Sequence, residues 1–188
     1  MSKSSQADAA RHRTEVISAA SRLLRERGAT GVSVQDAMAA AGLTHGGFYK
    51  HFRSKDDLLG AATTDAFGEI LGLLDGLEND EDPKAARGRL FDSYLSLEHR
   101  DSPGAGCANT ALATDAARAA DSPLGAAYLD GLKNTIAHLE NGDDAPNARQ
   151  RALEQLIMLV GGLTLARATR GDSISEEFLS VARDALAS

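Results

Sequence analysis

Between Ser33 and Lys55 the chain reads SVQDAMAAAGLTHGGFYKHFRSK, whose punctuation allows two short helices, a tight turn and the start of a third helix. Ser33 has the short hydroxyl of an N-cap, and Asp36 puts a carboxylate in the first turn, where the helix dipole favours it. Val34, Ala37, Met38 and Ala41 recur at helical spacing as one apolar stripe. Gly42 ends that helix, because so sharp a reversal needs a residue at ease with positive φ. Leu43 plugs the turn, and Thr44 caps a very short helix, His45 to His51. Ser54 caps the next, with Asp57 as its capping-box partner. A helix as short as 45–51 is not stable alone and must be held by neighbours. Its outer side carries nothing apolar, as in the recognition helix of a helix-turn-helix unit.

The 188 residues suffice for that small unit and one larger helical core. Ala and Leu dominate, β-branched runs are few and there are four prolines, so the expected class is all-α. No apolar segment follows the charged start, so no signal peptide is expected. The longest apolar run, Leu156 to Ala166, is too short to span a bilayer. A single cysteine makes no internal disulfide and agrees with a reducing cytoplasm. The expectation is a cytoplasmic protein with no membrane partner.

The net charge of −7 argues at first against nucleic acid, but its distribution reverses that. Residues 1–60 carry nine Lys and Arg against six Asp and Glu, a balance of +3. Residues 61–188 carry eleven against twenty-one, a balance of −10. A basic head on an acidic body is expected where only one end meets phosphate.

Residues 12–59 resemble the DNA-binding region of the TetR/AcrR family of bacterial transcriptional regulators. The matching positions are Gly28 to Val34 and Ala39 to Leu59, and the string Gly47-Phe48-Tyr49-Lys50-His51-Phe52-Arg53-Ser54-Lys55 is highly specific. The rest of the chain fits by length and helical character. The implied architecture is an N-terminal three-helix DNA-binding domain over residues 1–54 and a helical ligand-binding and dimerisation domain over 55–188. The implied partners are a double-stranded, palindromic DNA operator, a small-molecule effector and a second copy of the chain.

Further helices are expected at about Ala7–Arg27, Ser54–Leu77, Lys84–His99, Cys107–Ala120, from Ser122, Pro146–Thr169, and from Ser173 or Ser175. The polar N-terminal residues are expected to be disordered. Arg11, Arg13, Arg22 and Arg25 fall on the polar face of the first helix. The long helix from Ser54 starts beside the recognition helix and ends in the second domain, and so can act as a lever between ligand and DNA. Asn79–Pro83 reads as an acidic loop, and Gly142-Asp143 as a break. Leu97, Leu129, Ile174 and Val181 are among the residues expected to face inward.

In the DNA-binding unit, Gly46 and Gly47 are poor helix formers, so either clearance for the backbone near base edges or turn geometry explains them. Thr44 and His45 open the helix and point at the groove. Thr44 suits a phosphate or a thymine methyl, and His45 suits a base edge or a phosphate. The resemblance implies that Tyr49, Lys50 and His51 grip flanking phosphates, with a base contact open to Lys50. Phe48 and Phe52 lie one turn apart and read as core. Lys55 and Ser33, at helix starts, suit phosphate.

Cys107 sits at an expected helix start, where a dipole lowers a thiol pKa, with His99 or His138 as a possible base. No third member, oxyanion site or metal-ligand spacing accompanies it, so enzymatic activity, a metal and a cofactor are not expected. Gly106-Cys107-Ala108-Asn109-Thr110-Ala111-Leu112 resembles a G-C-x-x-x-x-L helix start in one branch of these regulators. The resemblance implies a thiol that answers to electrophiles or oxidants; the alternative is a small residue that packs well. A ligand pocket is expected among Phe67, Leu71, Phe91, Leu112, Leu132 and Ile157, with Tyr94, Tyr128, Asn109 and Thr110 as polar groups.

Leu156–Ala166 is apolar on nearly every side, and a helix apolar all round must be covered all round. Leu156, Leu159, Gly161, Gly162 and Ala166, with Phe178 of the last helix, are the candidate interface of a two-fold, four-helix dimer. The alternative is a central core helix. Two further functions stay open: a DNA-organising protein of the same fold that takes no ligand, and a cysteine-based enzyme.

Overall fold

The structure, a computed structural model, describes residues 3–78, 80–141 and 145–187. Met1, the Leu77 side chain, Asn79 and the Gly142-Asp143 break lie outside what it describes. Every element among the described residues is helical. In chain order these are α1 (Lys3–Arg27), α2 (Val34–Ala40), a 3-10 segment (His45–Lys50), α3 (Lys55–Glu78), α4 (Pro83–Tyr94) and α5 (Leu97–Asp101). A 3-10 turn (Pro103–Ala105), α6 (Ala108–Arg118), α7 (Pro123–Glu140), α8 (Ala148–Ala168) and α9 (Ile174–Ala187) complete the chain. No helix among the described residues is long and apolar enough to cross a membrane.

Local chemistry accounts for the helix-turn-helix. The Ser33 hydroxyl accepts the Asp36 N–H at 3.0 Å while the Asp36 carboxylate accepts the Ser33 N–H at 3.0 Å, a reciprocal capping box. Gly28 and Gly42 have φ of 70° and 71°, as the two reversals require. Val16, Ala20 and Leu24 of α1 pack on Ala37 and Met38 of α2 and on Phe48, Phe52 and Leu58, all buried. The Phe48 and Phe52 rings stack with centroids 5.5 Å apart.

α3 carries this core onward into the rest of the chain, where it packs chiefly on α7, while α8 packs on α9. Phe67 of α3 lies on the bare backbone of Gly131 in α7, so closely that a Cβ there would overlap the ring. Leu95, Leu112, Leu163 and Leu179 are fully buried in this part of the continuous core.

Several expectations are corrected. α1 extends back to Lys3, into the segment expected to be disordered. The expected helix 84–99 breaks at Leu95-Ser96, because the Ser96 hydroxyl accepts the His99 N–H at 3.1 Å and starts α5 anew. The break turns Leu97 outward. Leu129, Ile174 and Val181 are likewise exposed instead of inward. The segment after Thr44 is a 3-10 helix, closed by Gly47 N–H to Thr44 C=O at 3.1 Å, and Thr44 makes no side-chain cap. Cys107 is the cap residue of α6, with extended backbone, and α6 ends at Arg118.

Candidate nucleic-acid interface and effector cleft

The 3-10 segment presents its outer face without cover. Thr44, His45, Gly46, Tyr49 and Lys50 are exposed, Tyr49 by 77%. A Cβ on Gly46 would meet nothing, whereas one on Gly47 would touch the Met38 side chain at 3.6 Å. Gly46 therefore faces outward, and Gly47 rests on α2. His51 is half-buried, edge-on to His12 of α1 with centroids 6.5 Å apart. Its pKa is lowered, by burial first and then by His12, Lys50 and Arg13. Arg13 lies 5.1 Å from the Phe52 ring centroid. Thus α1 supplies His12 and Arg13 beside the expected DNA residues. Arg13 falls on the polar face of the first helix by sequence, whereas nothing local in the sequence marks His12.

Two expected phosphate ligands have internal partners. The Ser33 hydroxyl belongs to the capping box, donating to Asp36 at 2.6 Å. The Lys55 ammonium donates to the Ala29 carbonyl at 3.0 Å, tying the start of α3 to the turn after α1.

The second site forms where α3, α4, α5 and the 103–107 segment meet. A cleft of about 340 Å³ is lined by Ala66, Ile70, Leu73 and Leu90 on its apolar side. Arg25, Ser93, Tyr94, His99 and Cys107 line its polar side. Deeper in, a void of about 20 Å³ touches Phe91, Asn109 and Thr135, and it shares Ile70, Leu90, Tyr94 and Cys107 with the cleft. Of the expected ligand residues, Cys107 and Tyr94 line the cleft, and Phe91 and Asn109 the void. Phe67, Leu71, Thr110 and Tyr128 line neither; Phe67 packs edge-on to Tyr128 with centroids 5.5 Å apart.

Polar contacts around Cys107 are specific. His99 Nδ1 lies 2.7 Å from the Tyr94 carbonyl, which only accepts, so Nδ1 carries the proton. Nε2 is then free to accept the Cys107 N–H, at 3.2 Å. Burial holds His99 below the ordinary histidine range, with Arg167 adding to the effect and the Tyr94 carbonyl opposing it. The Tyr94 hydroxyl pairs with Thr110 Oγ1 at 2.7 Å, and burial, then Cys107, pushes its pKa well above 10. Tyr128 donates to the Asn109 carbonyl at 3.0 Å. Arg167 of α8 donates to the His99 and Arg100 carbonyls at 2.8 and 3.2 Å, bracing the loop from behind. His138 is paired with Asp75 at 2.8 Å, away from Cys107.

Arg25 is the residue that sequence reading misplaced. Its side chain is buried, paired with Glu69 of α3, and donates to the Gly106 carbonyl at 3.1 Å. It thereby joins α1, α3 and the residue before Cys107. Nothing local in the sequence distinguishes it from the exposed arginines of the same helix.

On the far side, Leu156, Leu159 and Ala166 of α8 are buried within the chain itself. Gly162 faces Ala182 and Leu95, and Phe178 is half-buried, whereas Gly161 opens onto free space. The apolar residues left uncovered there are Leu153, Ile157, Leu165 and Val181, with Ile157 69% and Val181 67% exposed.

Residues 16–62 match the family model described as bacterial regulatory proteins, tetR family. No curated protein matches the chain. Among solved structures, a TetR transcriptional regulator from Legionella pneumophila is 24% identical with a TM-score of 0.76, over 92% of this chain and 94% of that one. The reduced form of E. coli NemR is 20% identical with a TM-score of 0.75, over 92% and 95%. A TetR-family regulator from Agrobacterium tumefaciens is 19% identical with a TM-score of 0.75, over 95% and 97%.

Proposed function

We propose that this chain, which carries the tetR-family helix-turn-helix over residues 16–62 and the fold of TetR-family transcriptional regulators along its length, is an effector-released repressor of a palindromic operator. Residues 1–54 would bind DNA, and 55–188 would sense the effector and dimerise. In this reading Thr44, His45 and Lys50 face base edges. Tyr49, His51, Lys55, Ser33 and the backbone at Gly46 and Gly47 meet phosphate or sit close to the duplex. Two copies pair through α8 and α9 to set the half-site spacing, using the uncovered Ile157, Gly161 and Val181.

The observation that carries the reading is the place of Arg25. Its guanidinium holds Gly106, next to Cys107 in the cleft wall, and also Glu69 on α3, the helix whose first turn follows the recognition segment. A small molecule in the cleft, or modification of Cys107, acts on this junction. It favours a form in which α3 has swung and the two recognition segments no longer match the operator. The cleft also supports this over a ligand-independent DNA-organising role, for which a solid core would be the better argument.

The test is an operator titration on promoter DNA beside the chain's own gene. It is run reduced, then with mild oxidant or electrophile, with Cys107→Ser in parallel. Release that disappears in the Ser variant supports thiol input. Binding unchanged in both removes the thiol arm and leaves a non-covalent effector.

A further inference from the structure

We infer that His12 of α1 and His51 together form a site for one backbone phosphate of the operator, and that the protein takes up a proton at this pair as it seats on DNA. The inference rests on the DNA-binding arm of the reading above. It adds a binding residue, His12, and a chemical input, pH, to that site.

The two rings line a cleft of about 440 Å³ between α1, α2 and the recognition segment, whose polar walls are Asp8, His12, Thr44, Lys50 and His51. They meet edge to face with centroids 6.5 Å apart. Neither ring makes a hydrogen bond to the described residues, whereas His99 and His138 each engage both ring nitrogens. Two imidazoles with unengaged nitrogens thus border the exposed 44–50 face. An oxygen that accepts from a ring N–H lies about 4 Å from the ring centroid, so one oxygen is within reach of both rings at this spacing.

The charged groups that face His51 are all positive: Lys50 beside it, and His12 and Arg13 from α1. Arg13 lies over the Phe52 ring, against which His51 is tilted with centroids 6.4 Å apart. α2 brings only Met38 to the cleft, and the one carboxylate in its wall, Asp8, is engaged by Arg11 at 3.2 Å. The cluster lacks a counter-charge, and a phosphate supplies it.

Without DNA, partial burial and these cations keep the His51 ring uncharged at neutral pH. A phosphate oxygen between the rings reverses the balance, because it favours one imidazolium and accepts an N–H from the neutral partner. The proton comes from solvent, and no other bond changes. The complex then holds one more proton than the free partners, so operator affinity rises as pH falls. The rise ends where free His51, below 6.5, gains a proton of its own.

The test is an anisotropy titration of the full chain on promoter DNA, from about pH 8 to about pH 5.5 at constant ionic strength. Wild-type affinity is expected to rise by up to about tenfold per pH unit, the limit for one proton, with a salt slope about one larger at the acid end. His12→Gln and His51→Gln each keep an N–H donor but remove one seat for the proton, and each should cut the pH slope by about half or more. His12→Gln decides alone should the His51 variant not fold. The double variant should be flat within about twofold. His45→Gln should keep the wild-type slope, whatever it does to affinity.

A wild-type slope in His12→Gln, or a slope lost only in His45→Gln, assigns the proton elsewhere and overturns the inference. So does a flat wild-type profile on DNA that is bound. Inorganic phosphate added at unchanged ionic strength should leave binding unaltered; competition would make the pair a free-anion site and overturn the operator contact. Wild type that binds promoter DNA at no pH overturns the DNA-binding reading itself, and the inference with it.

Discussion

Arg25 of α1 and Glu69 of α3 form a two-pronged ion pair, Nη1 to Oε2 at 2.5 Å and Nη2 to Oε1 at 2.9 Å. The arginine side chain is 4% exposed and the carboxylate 52%. The pair therefore has one desolvated partner and one wet one, and the loss of either is felt unequally. Glu69→Ala leaves a buried guanidinium with only the Gly106 carbonyl, and should cost about 1–3 kcal/mol in chemical denaturation, below a fully buried pair because Glu69 is solvated. It should also loosen the coupling, so that effector or oxidant changes operator affinity less than in wild type. Full stability with full coupling would remove the strut.

Gly131→Ala places a methyl group against the Phe67 ring. The helices α3 and α7 must then separate or the ring must leave its rotamer, for about 1–3 kcal/mol despite alanine's better helix propensity. Thermal unfolding reads the sign directly; a stabilised variant would mean that the contact is looser than described.

His99 and His51 both have folded pKa values below the ordinary 6.5, His99 chiefly through burial and His51 through burial and then His12. The unfolded chain thus takes up these protons at higher pH than the folded one. Their contribution to stability is whole above 6.5 and falls away as pH drops from 6.5 through the lower folded values. The melting temperature should decline over that window, and His99→Gln should flatten part of the decline. An unchanged profile in the variant would assign the effect elsewhere.

Lys55→Ala should weaken binding to all DNA sequences alike and reduce the salt slope by about one. If the slope stays at its wild-type value while stability drops slightly, the ammonium serves only the Ala29 carbonyl.

Ile157→Asp puts a charge on the uncovered face of α8 without touching the chain's own core. Sedimentation should find monomers, with operator binding weakened because one half-site is read at a time. A stable dimer would move the interface off α8.

Much of the DNA-binding unit was legible because its signals are local. Ser33 with Asp36, Gly28, Gly42 and Ser54 each set a backbone conformation within four residues, and each does so here. The failures are also local to one kind of event. Ser96 falls mid-helix by sequence alone, because a serine caps or rides in a helix according to what covers its neighbours. The sequence places Leu129 and Val181 inward, because a leucine or valine looks alike on either face.

Cys107 was legible as a residue to watch; its surroundings were not. The amino-acid order by itself determined an all-helical chain, the helix-turn-helix with its exposed 44–50 face, and the basic head on an acidic body. Tertiary structure alone decided that Arg25 rather than Arg22 goes inside, that His99 meets the Cys107 amide, and that Asn109 meets Thr135. Caps and turns are settled by neighbours along the chain. These pairings join residues 8 to 44 positions apart, and their geometry exists only after helices with interchangeable apolar faces have chosen one packing.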